Sequence, residues 1–85
     1  MINSKVVERW KSKMEKFTEY DPDYWKYPAE ILEDAIYEEG AELLMKRYNP
    51  EGSVVVKWKE NGKVYRYVSY WPAHSEQYTI REVKE

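Results

Sequence analysis

The sequence predicts an α+β domain in which two amphipathic helices pack on one face of a three-stranded antiparallel β-meander, in the order α-α-β-β-β. Apolar residues recur at helical spacing in the first half of the chain, and the spacing changes to two from Ser53 onward. An Asn61-Gly62 pair, which is typical of a tight hairpin turn, separates two β-rich runs. Because the chain has 85 residues, we expect a single compact domain over residues 1–85.

The first helix is expected over residues 4–20, with Ser4 as its N-cap. Its apolar residues fall within one arc of a helical wheel, namely Val6, Val7, Trp10, Met14 and Phe17. A stripe of basic residues lines one flank of that arc, namely Arg9, Lys13 and Lys16. Pro22 disfavours helical backbone at Asp21, so the first helix is expected to end there or just before.

The second helix is expected over residues 28–48. Pro28 suits the first helical position, where its missing N–H costs nothing, and Asn49-Pro50 is a suitable stop. The apolar residues of this helix are Ile31, Leu32, Ala35, Ile36, Leu43 and Leu44. Gly40 would lie in the helix interior, where Gly costs about 1 kcal/mol relative to Ala. We therefore expect close packing or a bend at Gly40.

Three strands are expected in the second half of the chain, at residues 54–60, 63–71 and 78–83. The two-residue turn sets the register of the first two strands, so that Trp58 lies opposite Tyr65. One face of this hairpin then carries Val54, Val56, Trp58, Tyr65, Tyr67 and Trp71, and we expect the helices to cover it. The other face carries Lys57, Lys59 and Arg66 together with Val55, Val64, Val68 and Tyr70, and we expect it to stay open.

The open face suggests nucleic-acid binding as an alternative function, through Lys57, Lys59 and Arg66 and the positive flank of the first helix. Basic strands with interleaved aromatic residues are typical of platforms for single-stranded nucleic acid. Here the strand period places most rings on the opposite face, and only Tyr70 shares the basic one. A solvated outer face is therefore the favoured interpretation.

Acidic side chains are concentrated in the middle of the chain, although the net charge is only −2. Residues 19–45 carry nine acidic side chains and one basic side chain, whereas residues 1–18 and 46–71 are net positive. One interpretation is an acidic helix that docks a basic partner. The favoured interpretation is internal, because Glu30, Asp34 and Glu38 form a stripe that can pair with the basic stripe of the first helix.

Glu39 falls inside the apolar arc of the second helix, between Ala35 and Leu32, so the sequence predicts a buried carboxylate. A buried carboxylate needs a partner or a raised pKa. We expect Glu39 to be bonded to a Tyr hydroxyl or to a Lys or Arg of the sheet. A functional carboxylate in a helix–sheet cleft is the alternative.

The composition argues against catalysis and predicts no cofactor or metal. The chain has no Cys, a single His and three isolated Gly, so thiolate chemistry, multi-His metal sites and Gly-rich phosphate loops are excluded. No apolar stretch is long enough to span a membrane, and the N-terminal residues do not resemble a signal peptide. We therefore expect a non-enzymatic protein with an intracellular, cytoplasmic location.

The main functional prediction is a small protein-binding module. Its first candidate surface is acidic and rich in Tyr, and comprises Tyr20, Asp21, Asp23, Tyr24, Trp25, Tyr27, Glu30, Asp34, Tyr37 and Glu38. The second is the free edge of an outer strand at residues 54–58, which can pair with another protein or form a homodimer. The third is the sheet face around Val55, Val68 and Tyr70. This composition also suggests a viral or mobile-element protein that inhibits or redirects a host factor.

Overall fold

A computed structural model describes residues 3–15, 27–70 and 78–84 of the chain. The elements within these residues are α1 (Lys5–Met14), α2 (Tyr27–Glu38), β1 (Glu42–Tyr48), β2 (Ser53–Glu60), β3 (Lys63–Tyr70) and β4 (Tyr78–Val83). The strands form one antiparallel sheet in the order β1-β2-β3-β4. The predicted α+β class is confirmed, but the sheet has four strands rather than three. Neither described helix is long and apolar enough to cross a membrane.

Helix α1 begins where the sequence predicts. The Oγ of Ser4 accepts a hydrogen bond from the Val7 N–H at 3.1 Å, which is the geometry of an N-cap. The indole N–H of Trp10 donates to the Pro28 carbonyl oxygen at 2.8 Å and ties α1 to the start of α2. Residues 16–20 of the predicted first helix, with Lys16 and Phe17, lie outside the described residues.

The second helix is much shorter than the sequence predicts, because Gly40 ends it instead of lying inside it. Gly40 has a φ of +71°, a left-handed backbone that Gly adopts without strain. The Gly40 N–H donates to the Tyr37 carbonyl at 3.1 Å, and the Ala41 N–H donates to the Ile36 carbonyl at 3.0 Å. These two bonds form a Schellman cap, which satisfies the last carbonyl groups of α2 and turns the chain away.

Strand β1 replaces the predicted C-terminal half of the second helix. It pairs with β2 so that Glu42 lies opposite Lys59 and Tyr48 lies opposite Val54, with a bulge between Leu43 and Met45. The Asn49-Pro50 segment, predicted to stop a helix, forms the turn of this first hairpin. Pairing with β2 satisfies a row of backbone groups, and this tertiary contact overrides the helical spacing of the apolar residues.

The first hairpin also changes the position of residues 54–58. They belong to β2, which is paired with β1 on one side and β3 on the other. The prediction that these residues form an outer strand with a free edge is therefore wrong. The edges of the described sheet are β1 and β4.

The second hairpin has the predicted turn and register. Asn61 and Gly62 both have positive φ, at 52° and 78°, as a type I′ turn requires. Trp58 lies opposite Tyr65, and Val56 lies opposite Tyr67. The buried face of the sheet is also confirmed among the described residues, since Val54, Val56, Trp58, Tyr65 and Tyr67 all pack in the core.

The core lies between this sheet face and the two helices. The helices contribute Val6, Val7, Trp10, Ala29, Ile31, Leu32, Ala35 and Ile36 to the same buried cluster. The rings of Trp10 and Tyr67 meet edge to face with centroids 5.4 Å apart, and those of Trp58 and Tyr65 stack at 5.4 Å. Because both described helices cover this face, the opposite face of the sheet carries no described helix.

The buried carboxylate of the fold is Glu60, which the sequence does not single out. Glu60 is only 8 % exposed and lies under the N-terminus of α1. It accepts hydrogen bonds from the Ser4 hydroxyl at 2.6 Å, the Trp58 indole N–H at 3.0 Å and the Lys5 backbone N–H at 2.9 Å. A negative charge at this position satisfies unpaired backbone donors and complements the helix dipole. Glu60 therefore anchors α1 to the end of β2.

Candidate functional site

The face of the sheet opposite the helices carries five cationic residues, which we call the basic face: Arg47, Lys57, Lys59, Arg66 and Arg81. Side chains alternate along a strand, so the burial of Val56 and Trp58 places Lys57 and Lys59 on the other side of β2. Residues directly opposite in an antiparallel pair share a face, which places Arg47, Arg66 and Arg81 there as well.

Three of these cations form a row across three adjacent strands. Lys57 lies directly opposite Arg66, and Arg66 lies directly opposite Arg81. Neighbouring strands are about 4.8 Å apart, and like charges directly opposite one another destabilise a sheet. No described carboxylate forms an ion pair with any residue of the row. The row therefore concentrates positive charge that this part of the chain does not neutralise.

A small concavity lies at the end of the row. It has a volume of about 170 Å³ and is lined by Arg66, Val68, Thr79 and Arg81. Two guanidinium groups beside an apolar side chain and a hydroxyl form a chemically mixed site. A guanidinium binds phosphate oxygens in a bidentate manner and also stacks on planar rings. The concavity can therefore hold either a phosphate or the edge of a base.

The apolar part of this face is less open than the sequence predicts. Val68 is only 9 % exposed, Val64 is also buried, and Val55 is half-buried. These side chains lie on the central strands β2 and β3. Tyr70 ends β3 opposite Ser53, but its side chain lies outside what the structure describes.

Ion pairs and a hydrogen bond join strand β1 to helix α2, although the sequence predicts a single helix over both segments. The Lys46 ammonium donates to Glu30 at 2.9 Å and to Glu33 at 2.6 Å, and the Tyr48 hydroxyl also donates to Glu30. Burial lowers the pKa of Lys46, but the two carboxylates outweigh it and raise that pKa overall. Glu30 therefore contributes to the α2–β1 contact and is not a free acidic surface.

The predicted pairing of the two helices is present in part. Arg9 and Lys13 of α1 both contact Glu38, at 3.4 and 2.9 Å. The Arg9 guanidinium also contacts Glu39 at 2.6 Å, and both carboxylates raise the pKa of Arg9. Asp34 is exposed and forms no ion pair with a described residue.

Glu39 is not the buried carboxylate that the sequence predicts. Glu39 directly follows Glu38, the last residue of α2, and its side chain is 21 % exposed. Its partner is Arg9 of α1 rather than a residue of the sheet. The physical reason is the Gly40 cap. The Glu39 N–H still donates to the Ala35 carbonyl at 3.0 Å, but the chain turns away at Gly40, so no further helical turn covers the Glu39 side chain.

A second concavity lies beside α1 and has a volume of about 480 Å³. It is lined by Lys5, Glu8, Arg9, Ser12, Lys13 and Glu39. Both signs of charge are present, and Arg9 and Lys13 are already paired with carboxylates of the α2 end. Within the described part of the chain, the positive flank of the first helix is therefore paired with carboxylates, in contrast to the basic face.

Most of the predicted acidic protein-binding surface falls outside the described residues, namely Tyr20, Asp21, Asp23, Tyr24 and Trp25. Tyr27 begins α2, but its side chain is not described. Tyr37 is 58 % exposed on α2, with its hydroxyl donating to Glu33 at 3.2 Å. The described part of this surface is therefore the exposed side of α2 around Asp34 and Tyr37.

Two residues of the basic face, Arg47 and Arg81, are absent from the sequence-based site. The sequence does not indicate the sheet face of Arg47, because it predicts a helix for that segment. Arg81 lies in a predicted strand, and its alternation with Ile80 and Glu82 indicates its face once the partner strand is known.

In comparisons with known proteins, no family model, no curated protein and no solved structure matches this chain.

Proposed function

We propose that this protein binds single-stranded nucleic acid across the basic face, with its cations contacting phosphate groups. The observation that carries the proposal is the row of Lys57, Arg66 and Arg81 at directly opposed positions on three strands. Such a row is unfavourable in the isolated protein and becomes favourable when a polyanion lies along it.

The shape of the basic face favours a single strand over a duplex groove. Four strands at about 4.8 Å spacing span roughly 14 Å between the outer strands, whereas the major groove of DNA is about 12 Å wide. A sheet of that width is too wide for its face to contact the bases inside the groove. A single strand can lie across the sheet, with its phosphates on the row and its bases toward the concavity.

The residues of the concavity support weak base contact and little base specificity. Arg66 and Arg81 provide guanidinium planes on which a base can stack, and Val68 lines the same concavity. Stacking of this kind tolerates any base, because every base has a π face. We therefore propose that binding is driven mainly by phosphate contacts and is strongly salt-dependent.

The distribution of charge supports this orientation in spite of the net charge of −2. The carboxylates of α2 lie with the helices on the other side of the sheet, and Glu30, Glu33 and Glu38 are each paired with a cation. On the basic face itself, Glu42 lies opposite Lys59, so the five cations outnumber the one carboxylate of the described strands there and the face stays net positive. A polyanion that approaches the sheet meets the cations first.

The test is fluorescence anisotropy with labelled single-stranded DNA, single-stranded RNA and duplex DNA at low salt. We expect binding to the single strands, with log K falling against log salt at a slope of about −2 for three phosphate contacts. The double variant Lys57→Glu/Arg66→Glu should lose most of this affinity. Lys11→Glu, an exposed charge reversal on α1, is the control and should bind like the wild type.

Two results would overturn the proposal. One is the absence of binding to every probe at low salt. The other is equal affinity of the wild type and Lys57→Glu/Arg66→Glu, which would place the contact elsewhere on the protein.

A second candidate function is protein binding through the exposed side of α2. It is favoured by Tyr37, a large aromatic side chain that is mostly exposed beside Asp34, whose carboxylate forms no ion pair with a described residue. Capture of partners from a lysate with the wild type and with Tyr37→Ala tests it. Loss of a specific partner in Tyr37→Ala supports this function, and identical partner sets contradict it.

A further inference from the structure

The outer edge of β1 combines a free strand edge with exposed apolar side chains. Among the described residues, β1 is an end strand of the sheet, and no strand pairs with its outer edge. Leu44 and Met45 are 39 % and 36 % exposed and lie next to each other on this strand. An edge of this composition is a template for pairing with another strand.

We propose that two copies of the chain pair through β1, antiparallel, to form one continuous eight-stranded sheet. The register follows from the pairing of β1 with β2. Glu42, Met45 and Arg47 lie opposite Lys59, Lys57 and Val55, which are evenly spaced along β2. Glu42 and Arg47 are therefore equally far from Met45 and point to the same face.

A twofold axis at Met45 makes this edge self-complementary. It brings Glu42 opposite the partner's Arg47 and Arg47 opposite the partner's Glu42, while the two Met45 side chains meet at the axis. Opposite charges at directly opposed positions stabilise an antiparallel pair. The bulge leaves Leu44 outside the regular ladder, where it adds apolar surface beside the axis.

The lysine of β1 does not protect this edge from pairing. A lysine on an edge strand commonly prevents pairing with other strands. Lys46 is the lysine of this strand, but its ammonium is held on the helix side by Glu30 and Glu33. It is therefore not available to repel a second copy.

The opposite edge, β4, is less suitable for self-pairing. Arg81 lies near the middle of this strand. In a twofold antiparallel register that pairs most of β4, the two copies of Arg81 lie opposite or diagonal to each other, and these like charges oppose association. Of the two edge strands of the described sheet, β1 is therefore better suited to pair with a second copy.

The test is the molar mass of the purified protein without nucleic acid, measured by size-exclusion chromatography with light scattering over a range of concentrations. We expect a dimer that dissociates on dilution. Arg47→Glu places like charges opposite each other and should raise the dissociation constant about tenfold. Glu42→Arg should act in the same way, and Met45→Lys should give a monomer.

The decisive variant is the exchange Glu42→Arg/Arg47→Glu, which restores opposite charges in the same register and should restore the dimer. Circular dichroism of each variant shows whether it is folded. A wild type that is monomeric at every concentration, or a dimer unaffected by Met45→Lys and both single charge reversals, would overturn the proposal. Because no nucleic acid is present, this result is independent of the proposed nucleic-acid binding.

Discussion

Arg66 and Arg81 lie directly opposite each other on β3 and β4, and both side chains are exposed on the face of the sheet that the described helices leave uncovered. Lys57 opposes Arg66 on the other side. A sheet selected only for stability would place an opposite charge at one of these positions. The arrangement is therefore a cost in stability, which the proposed binding function would explain.

Arg81→Glu should stabilise the free protein, because it replaces a like-charge pair with an opposite-charge pair. We expect the free energy of unfolding to rise by a few tenths to about 1 kcal/mol at low salt. The measurement is urea denaturation, and the gain should shrink at high salt. Lys84→Glu makes the same change of charge beyond the end of β4 and is the control. A less stable Arg81→Glu beside an unchanged control would contradict this account of the row.

Glu60→Gln should destabilise the protein through α1. The substitution keeps the size of the side chain but removes the charge that accepts hydrogen bonds from Ser4, Trp58 and the backbone of Lys5. Weakening buried, charge-assisted hydrogen bonds should cost about 2 kcal/mol. Denaturation followed by circular dichroism measures the loss, and Glu82→Gln, on an exposed residue, is the control. Equal stability of Glu60→Gln and the wild type would mean that this anchor contributes little.

The same carboxylate predicts how stability depends on pH. Burial raises the pKa of Glu60, but the hydrogen bonds from Ser4, Trp58 and the backbone outweigh burial and lower that pKa below its usual value of 4.5. A lowered pKa in the folded state means that the stabilisation is complete above pH 4.5 and is lost as the pH falls through the folded value. Unfolding measured across this range should show a smaller acid loss for Glu60→Gln than for the wild type. Parallel curves for the two proteins would exclude Glu60 as the source.

Gly40→Ala should destabilise the protein, although there is room for the added methyl group. A Cβ at this position meets no atom within 4 Å, so the cost comes from the φ of +71° alone. Left-handed backbone costs a residue with a Cβ about 1 kcal/mol or more. Chemical denaturation should show this loss, with a smaller one for Gly40→Asn, because Asn tolerates this backbone better. An increase in stability with Ala would indicate that the helix continues through this position.

Prediction from the sequence succeeded where the signal was local. The Asn61-Gly62 pair predicts a tight turn, because few other residues adopt its left-handed backbone easily. That turn then sets the register in which Trp58 lies opposite Tyr65. Ser4 provides its own capping hydroxyl to α1. The alternation of apolar residues along residues 54–67 identified the buried side of the hairpin. Each of these features depends on residues that are neighbours in the chain.

The errors arose where the outcome depends on distant contacts. The spacing of Leu43 and Leu44 is compatible with a helix or with a strand, and the choice between them is made by pairing with β2. A glycine such as Gly40 destabilises the interior of a helix but is favoured at its C-terminal end. Only the cap hydrogen bonds to the Tyr37 and Ile36 carbonyls show that Gly40 ends the helix. The turn at Gly40 also leaves Glu39 at the end of the helix, where Arg9 of α1 contacts it.

The sequence by itself therefore determined the α+β class, the second hairpin and its buried face, because turn chemistry and side-chain period act over a few residues. Only the tertiary structure decided which strands lie at the edges and which cations share a face. Arg47, Lys57, Arg66 and Arg81 come from four strands, and antiparallel pairing alone brings them onto one surface. Glu60 is likewise an ordinary acidic residue in the sequence, and it gains a structural role only because α1 begins against it.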